Sequence, residues 1–133
     1  MTPEEAFLTV LEPIAGLRNK VYPAEALKNA VAPFVFYLQH DEDEEETLEG
    51  PTGLMKATFE LNFVAQTYAD LIRLVAAARP ALHSMQGKTY GDLLIERVIV
   101  RQASPDLKEM EVNLYRRMYS LTIHYQKEDN THE

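Results

Sequence analysis

The densest set of reactive side chains is the run Asp41-Glu42-Asp43-Glu44-Glu45-Glu46. Carboxylates crowded in this way bind a hard cation such as Ca²⁺, or raise one another's pKa until one keeps a proton for acid catalysis. The run has neither the spaced ligands nor the turn glycine of an EF-hand loop. Its plainer reading is a solvated, self-repelling loop. His40, His83, His124 and His132 fall in separate segments, without a His-x-x-x-His or Glu-paired spacing, so they indicate no zinc site. No glycine-rich loop follows a strand, no Gly-x-Ser-x-Gly elbow exists, and Ser84, Ser104 and Ser120 have no basic partner in the pattern. Without cysteine there is no thiolate ligand, disulfide or Cys nucleophile, which fits a reducing compartment. The chain is expected not to be an enzyme and to need no cofactor or metal.

Charge narrows the partners. A net charge of -8 and a pI near 5.0 repel a phosphate backbone, because non-specific nucleic-acid binding needs Lys and Arg to displace counterions. The strand Tyr and Phe residues would need a basic groove to serve as a base-stacking platform, so core packing accounts for them better. Sequence-specific nucleic-acid binding is not expected. The start, Met1-Thr2-Pro3-Glu4-Glu5, is acidic and leads into no unbroken apolar stretch, so neither a secretory signal nor a membrane-spanning helix is expected.

The elements that must position these residues follow from periodicity. With 133 residues, 46% of them hydrophobic, one domain over 1–133 with one packed core is expected. Thr2 before Pro3, with Glu5 three residues on, forms a capping-box pattern that starts a helix at Pro3. Phe7, Val10, Leu11 and Ile14 give it an apolar face, and Pro13 ends or kinks it near Glu12. The segment 16–32 reads as an irregular link with one helical turn around Ala26, in which Pro23 pushes Tyr22 towards an extended conformation. Phe34 to His40, opening after Pro33, is the first strand.

A long acidic hairpin loop, about 41–54, is expected next, because Gly50, Pro51 and Gly53 do not suit a central strand. From Met55 to Thr67, Ala57, Phe59, Leu61, Phe63 and Ala65 alternate against Lys56, Thr58, Glu60, Asn62 and Gln66, the pattern of a half-buried antiparallel strand. Thr67 caps a second helix with an apolar stripe at Leu71, Leu74, Val75, Ala78, Ala81, Leu82 and Met85, bent at Pro80 and ending near Gly87. Leu93–Gln102 and Leu114–Gln126 read as two further strands, joined as a hairpin through Ser104-Pro105-Asp106. Arg116 and Arg117 then lie on opposite faces, one of them available for an ion pair with another subunit. The tail 128–133 has no apolar anchor and is expected to fray. The resulting fold class is α+β, a mainly antiparallel four-stranded sheet with helices packed on one face and a polar face left open.

Taken in order, Val21-Tyr22-Pro23, Pro33-Phe34-Val35, Thr47-Leu48-Glu49-Gly50-Pro51-Thr52-Gly53-Leu54, the alternating strand, Thr67-Tyr68-Ala69-Asp70 and Leu114-Tyr115-Arg116-Arg117 resemble the phage tail completion family, the tail terminators and tail-to-head joining proteins of long-tailed bacteriophages. The resemblance runs along most of the chain. It implies a structural virion protein that forms a ring, six copies in the family, on the head-proximal end of the tail tube, ends tube polymerisation and joins tail to head. The implied partners are further copies of the chain, the tail tube protein and the head-tail connector proteins, with DNA passing through the ring and assembly in the host cytoplasm. Under that resemblance Glu46, Thr47, Leu48, Glu49, Gly50, Pro51, Gly53 and Arg116 are candidates for a partner contact or the lumen, where negative charge keeps DNA from sticking. Two other readings stand beside it. One is another connector or a component of a tail-like particle; the other is a small metal-dependent or ligand-binding α+β protein using the carboxylates of 41–46.

Overall fold

The computed structural model describes residues 1–24, 30–48, 50–109 and 113–127, with the backbone alone at 46, 47, 50–52 and 109. The helical turn expected around Ala26, the tail at 128–133, His132 and Glu49 lie outside the described residues.

Helix α1 spans Pro3–Leu11 and begins as the capping box dictates. The Glu5 N–H donates to Thr2 Oγ1 at 3.3 Å, and the Thr2 N–H donates to Glu5 Oε1 at 3.0 Å, so two otherwise orphaned donors of the first turn are satisfied. Its inner face buries Ala6, Phe7 and Leu11. The Phe7 ring meets Tyr37 and Phe59 edge-on, each at 5.2 Å between centroids, which ties the helix to two strands at once.

The sheet has seven strands: β1 (Val21–Pro23), β2 (Phe34–Thr47), β3 (Gly50–Ala65), β4 (Thr89–Tyr90), β5 (Leu93–Gln102), β6 (Leu107–Glu109) and β7 (Leu114–Lys127). Their spatial order is β1-β2-β3-β7-β5-β4, with β6 beside the start of β7. The four expected strands are the long ones. The expectation of four is corrected by β1, β4 and β6, each two or three residues long, too short to carry a period in sequence. Among the described residues only β1 runs parallel to its neighbour, and the remaining pairings are antiparallel.

Helix α2 (Tyr68–His83) starts where Thr67 Oγ1 accepts the Asp70 N–H at 3.0 Å, and it runs through Pro80 to His83. Leu71, Leu74, Val75, Ala78 and Leu82 seat it on the sheet. One core joins both helices to Ala57, Phe59, Leu61, Phe63 and Ala65 of β3 and to Tyr119, Leu121, Ile123 and Tyr125 of β7. These are the residues that the alternation assigned to the inner face. Burying them removes apolar area worth about 25 cal/mol per Å² from water, and a one-residue slip of register would forfeit all of it on that strand.

The expected acidic loop is corrected: Asp41 to Thr47 continues β2, and Gly50 to Leu54 opens β3. The two strands pair down to Thr47 opposite Gly50, with register shifts at Gln39/Asp41 and Glu44/Glu46. The physical reason is the reach of the neighbour. Pairing of β3 with β7 begins only at Leu54 opposite Gln126, so residues 50–53 belong to a two-stranded ribbon projecting past the sheet. Pro51 there withholds its missing N–H from no third strand. Residues 41–45 are exposed, so water screens the like charges of the run.

Candidate functional site

The pleat deals the acidic run to two faces. Glu42 stands opposite Ala57 and Glu44 opposite Met55, on the side of the helices, while Asp41 and Asp43 stand opposite Thr58 and Lys56 on the open side. Glu42 accepts a short hydrogen bond from the Tyr125 hydroxyl. Burial, and then this carboxylate, raise the Tyr125 pKa above the ordinary tyrosine range. Glu44 Oε2 accepts the N–H of Gly53 at 3.0 Å. Gly53 has φ +82°, a left-handed conformation that disfavours a side chain, and it lies where the register shifts between Glu44 opposite Met55 and Glu46 opposite Pro51. Dealt out in this way, the carboxylates do not converge on one ion, and among the described residues no three His, Asp or Glu side chains form a group suited to hold a metal.

Of the expected contact residues, the backbones of Glu46, Thr47, Gly50 and Pro51 lie on the ribbon, Leu48 at its tip is fully exposed, and Gly53 lies near its base. Arg116 lies elsewhere, on the open sheet face some distance along β7. There it donates to Asn62 Oδ1 at 2.9 Å, Asn62 Nδ2 donates to Glu60 Oε2 at 2.8 Å, and Glu60 Oε1 lies 3.5 Å from His40 Nε2. Asn62 is completely buried, so its two bonds satisfy an amide that would otherwise cost about 1–3 kcal/mol. The open face is therefore less uniformly polar than its alternation suggests. At one end it carries a second apolar cluster of Ala32, Phe34 and Val64, with Tyr22, Phe36 and Leu114 packed against it.

Arg117 faces the helices, as the alternation requires, and its use was not legible in sequence. Its Nε and Nη2 donate to the two Asp106 oxygens at 2.6 and 2.8 Å, and Tyr68 Oη donates to the same carboxylate at 2.7 Å. The Arg117 hydrogen bond holds the Asp106 pKa below the usual carboxylate range, and Asp106 raises that of Tyr68. This cluster pins the 103–106 turn to α2 and β7.

Several concavities mark the surface of the described residues, and two are taken here. One of about 380 Å³, mostly apolar, lies between the end of α1 and the start of α2, lined by Ile14, Pro33, Ala65 and Leu74 with the Arg73–Asp70 pair (2.8 Å) at its edge. The other, about 270 Å³, is a groove on the open face among Lys56, Arg101, Ser120, Thr122 and His124. The geometry arranges surfaces: a projecting ribbon, acidic along β2, and an open face that becomes basic towards β5.

No protein-family model matches the sequence, and no curated protein matches it. A solved structure does. A chain from the virion of a native gene transfer agent particle superposes with a TM-score of 0.59 at 16% identity, covering 93% of this chain and 94% of that one. The likeness covers nearly the whole of both chains and establishes a shared α+β fold.

Proposed function

We propose that this chain is a structural subunit of a phage or phage-like virion, and within it a tail completion protein that caps the head-proximal end of the tail tube. The observation that carries the coarser reading is the fold shared, nearly end to end, with a chain of a gene transfer agent virion. The finer reading, a ring that ends tube growth and joins tail to head, rests on the ordered motifs from Val21-Tyr22-Pro23 to Leu114-Tyr115-Arg116-Arg117 that resemble the tail completion family. It also draws on the form of the molecule. A ribbon that projects beyond the sheet, tipped by the exposed Leu48, is suited to reach a neighbour. The partners proposed are further copies of the chain, the tube protein and the connector.

The chain acts by binding, not by catalysis. A ring needs heterologous contacts, one patch docking on a different patch of the next copy until rotation closes the circle. The carboxylates of 41–45, divided between two faces, support this reading over a metal-dependent activity.

The test is deletion of the gene, followed by electron microscopy of the particles released. Tubes of uncontrolled length lying beside free, filled heads are expected. Virions with tails of normal length, joined normally to heads, would remove the proposal.

A further inference from the structure

β2 keeps an unpaired outer side along its acidic half. β1 pairs with it only from Val35 to Tyr37, so among the described residues no strand lies outside β2 from Leu38 onward. Leu38 to Glu44 are all exposed, and among the described residues no hydrogen bond reaches their backbone from outside β3. An unpaired edge is a template for an added strand, and the like charges of Asp41 to Glu44 oppose pairing with a second copy of the same edge. Beside this edge, on the helix side, lies a concavity of about 540 Å³ between the first turn of α1 and the ribbon. Glu4 of α1, Gln39, Glu42 and Glu44 of β2, and Tyr125 and Lys127 of β7 line it. Three carboxylates thus face one ammonium there, whereas on the open side Asp43 has Lys56 opposite.

We propose that the open edge of β2 takes an extended basic segment of another protein as an added strand, with one of its Arg or Lys side chains seated among Glu4, Glu42 and Glu44. In such a contact backbone pairing gives affinity, and pockets for alternate side chains give specificity. The carboxylates are held ready for it. Tyr125 Oη donates to Glu42 Oε2 and the Gly53 N–H donates to Glu44 Oε2, which leaves the Oε1 atom of each without a hydrogen bond among the described residues. Fixing these side chains before binding removes part of the cost of ordering them. Glu42 and Glu44 share one face two residues apart, so a facing strand presents its side chains to them at every second position. A guanidinium, with donors spread round a planar fork, can serve both. No described strand of this chain has Lys or Arg at two successive alternate positions, so the segment comes from a different protein. The site does not depend on the assembly reading above; under that reading its occupant is a segment of the tube protein or the connector.

The probe is a capped peptide as long as this edge, alternating Arg with Thr. A second peptide, N-methylated at each backbone amide, keeps the charge and withholds the donors that strand pairing needs. Amide hydrogen exchange of the full-length protein, read residue by residue by NMR, follows their binding. The first peptide is expected to slow exchange of the outward-facing amides between Leu38 and Glu44 by about tenfold or more, and the second to leave them unchanged. Glu42→Gln with Glu44→Gln is expected to weaken the first peptide by about tenfold or more, because hydrogen bonds to charged groups are lost. Glu42→Lys with Glu44→Lys is expected to bind instead a peptide alternating Glu with Thr, a gain that a loss of folding would not give. No protection by the first peptide, equal protection by both, or protection indifferent to the charge changes would overturn the site. If the exchange behaves as stated while deletion of the gene leaves tails normal, the site stands and the tail completion reading falls.

Discussion

Replacing Asp106 by Asn keeps the shape of the cluster beneath α2 and removes its negative charge. The carboxylate receives Arg117 through two hydrogen bonds of 2.6 and 2.8 Å and the Tyr68 hydroxyl at 2.7 Å. An amide offers one acceptor and turns a donor towards groups that are themselves donors. Breaking a fully buried ion pair costs about 3–5 kcal/mol. Here the side chains keep 17% and 21% of their surface in water, so solvent screens part of the loss and about 1–2 kcal/mol is expected near neutral pH.

The pH dependence has a definite sign. The Asp106 pKa is depressed in the folded chain, so its contribution is fully present above the unfolded value of about 3.9 and is lost as pH falls through the lower folded value. Urea unfolding followed by circular dichroism at pH 7 and at progressively lower pH measures the difference between wild type and Asp106→Asn. That difference should be about 1–2 kcal/mol at pH 7 and should shrink below the ordinary carboxylate range. Equal stability at pH 7, or a deficit unchanged by acid, would refute the reasoning.

Phe7→Ala removes a completely buried ring that meets both Tyr37 and Phe59 and should cost about 3–5 kcal/mol in a urea titration. Gly53→Ala meets no atom within 4 Å yet must hold φ +82°, so a loss of about 1 kcal/mol is expected in thermal unfolding, from backbone strain alone. Tyr125 has a raised pKa, so its contribution to stability is present below the ordinary tyrosine value of about 10 and is lost as pH rises. Tyr125→Phe should flatten the fall in stability above that pH, measured by urea unfolding at pH 9 to 11.

Much of the scaffold was legible because its signals are local. Thr2 with Glu5 and Thr67 with Asp70 specify helix starts through bonds spanning three residues, and the alternation from Ala57 to Ala65 specifies which face of β3 is buried. The acidic run was misread because charge, Gly and Pro argue against a central strand, whereas residues 50–53 lie on a ribbon that β7 does not reach. β1, β4 and β6 exist only through their pairings, which a window of two or three residues cannot show. Of the candidate contact residues, Glu46, Thr47, Gly50, Pro51 and Gly53 lie together at the hairpin end, in strand and not in loop. Arg116 was rightly put on a strand face but meets Asn62 in its own chain. Asp106 and Arg117 were both visible, one in a turn and one in an alternating strand. Which cation that turn would meet depended on how β6 and β7 fold back on each other, a relation that no local pattern encodes.

The central claim concerns one end of a tube. Tube protein polymerised from purified tail tips, in the presence of increasing amounts of this chain carrying a gold label, measures it directly by electron microscopy. The account predicts tubes that shorten as the chain is added, with label at the end distal to the tip and nowhere else. Tubes of unchanged length, with label absent or scattered along their walls, would contradict it.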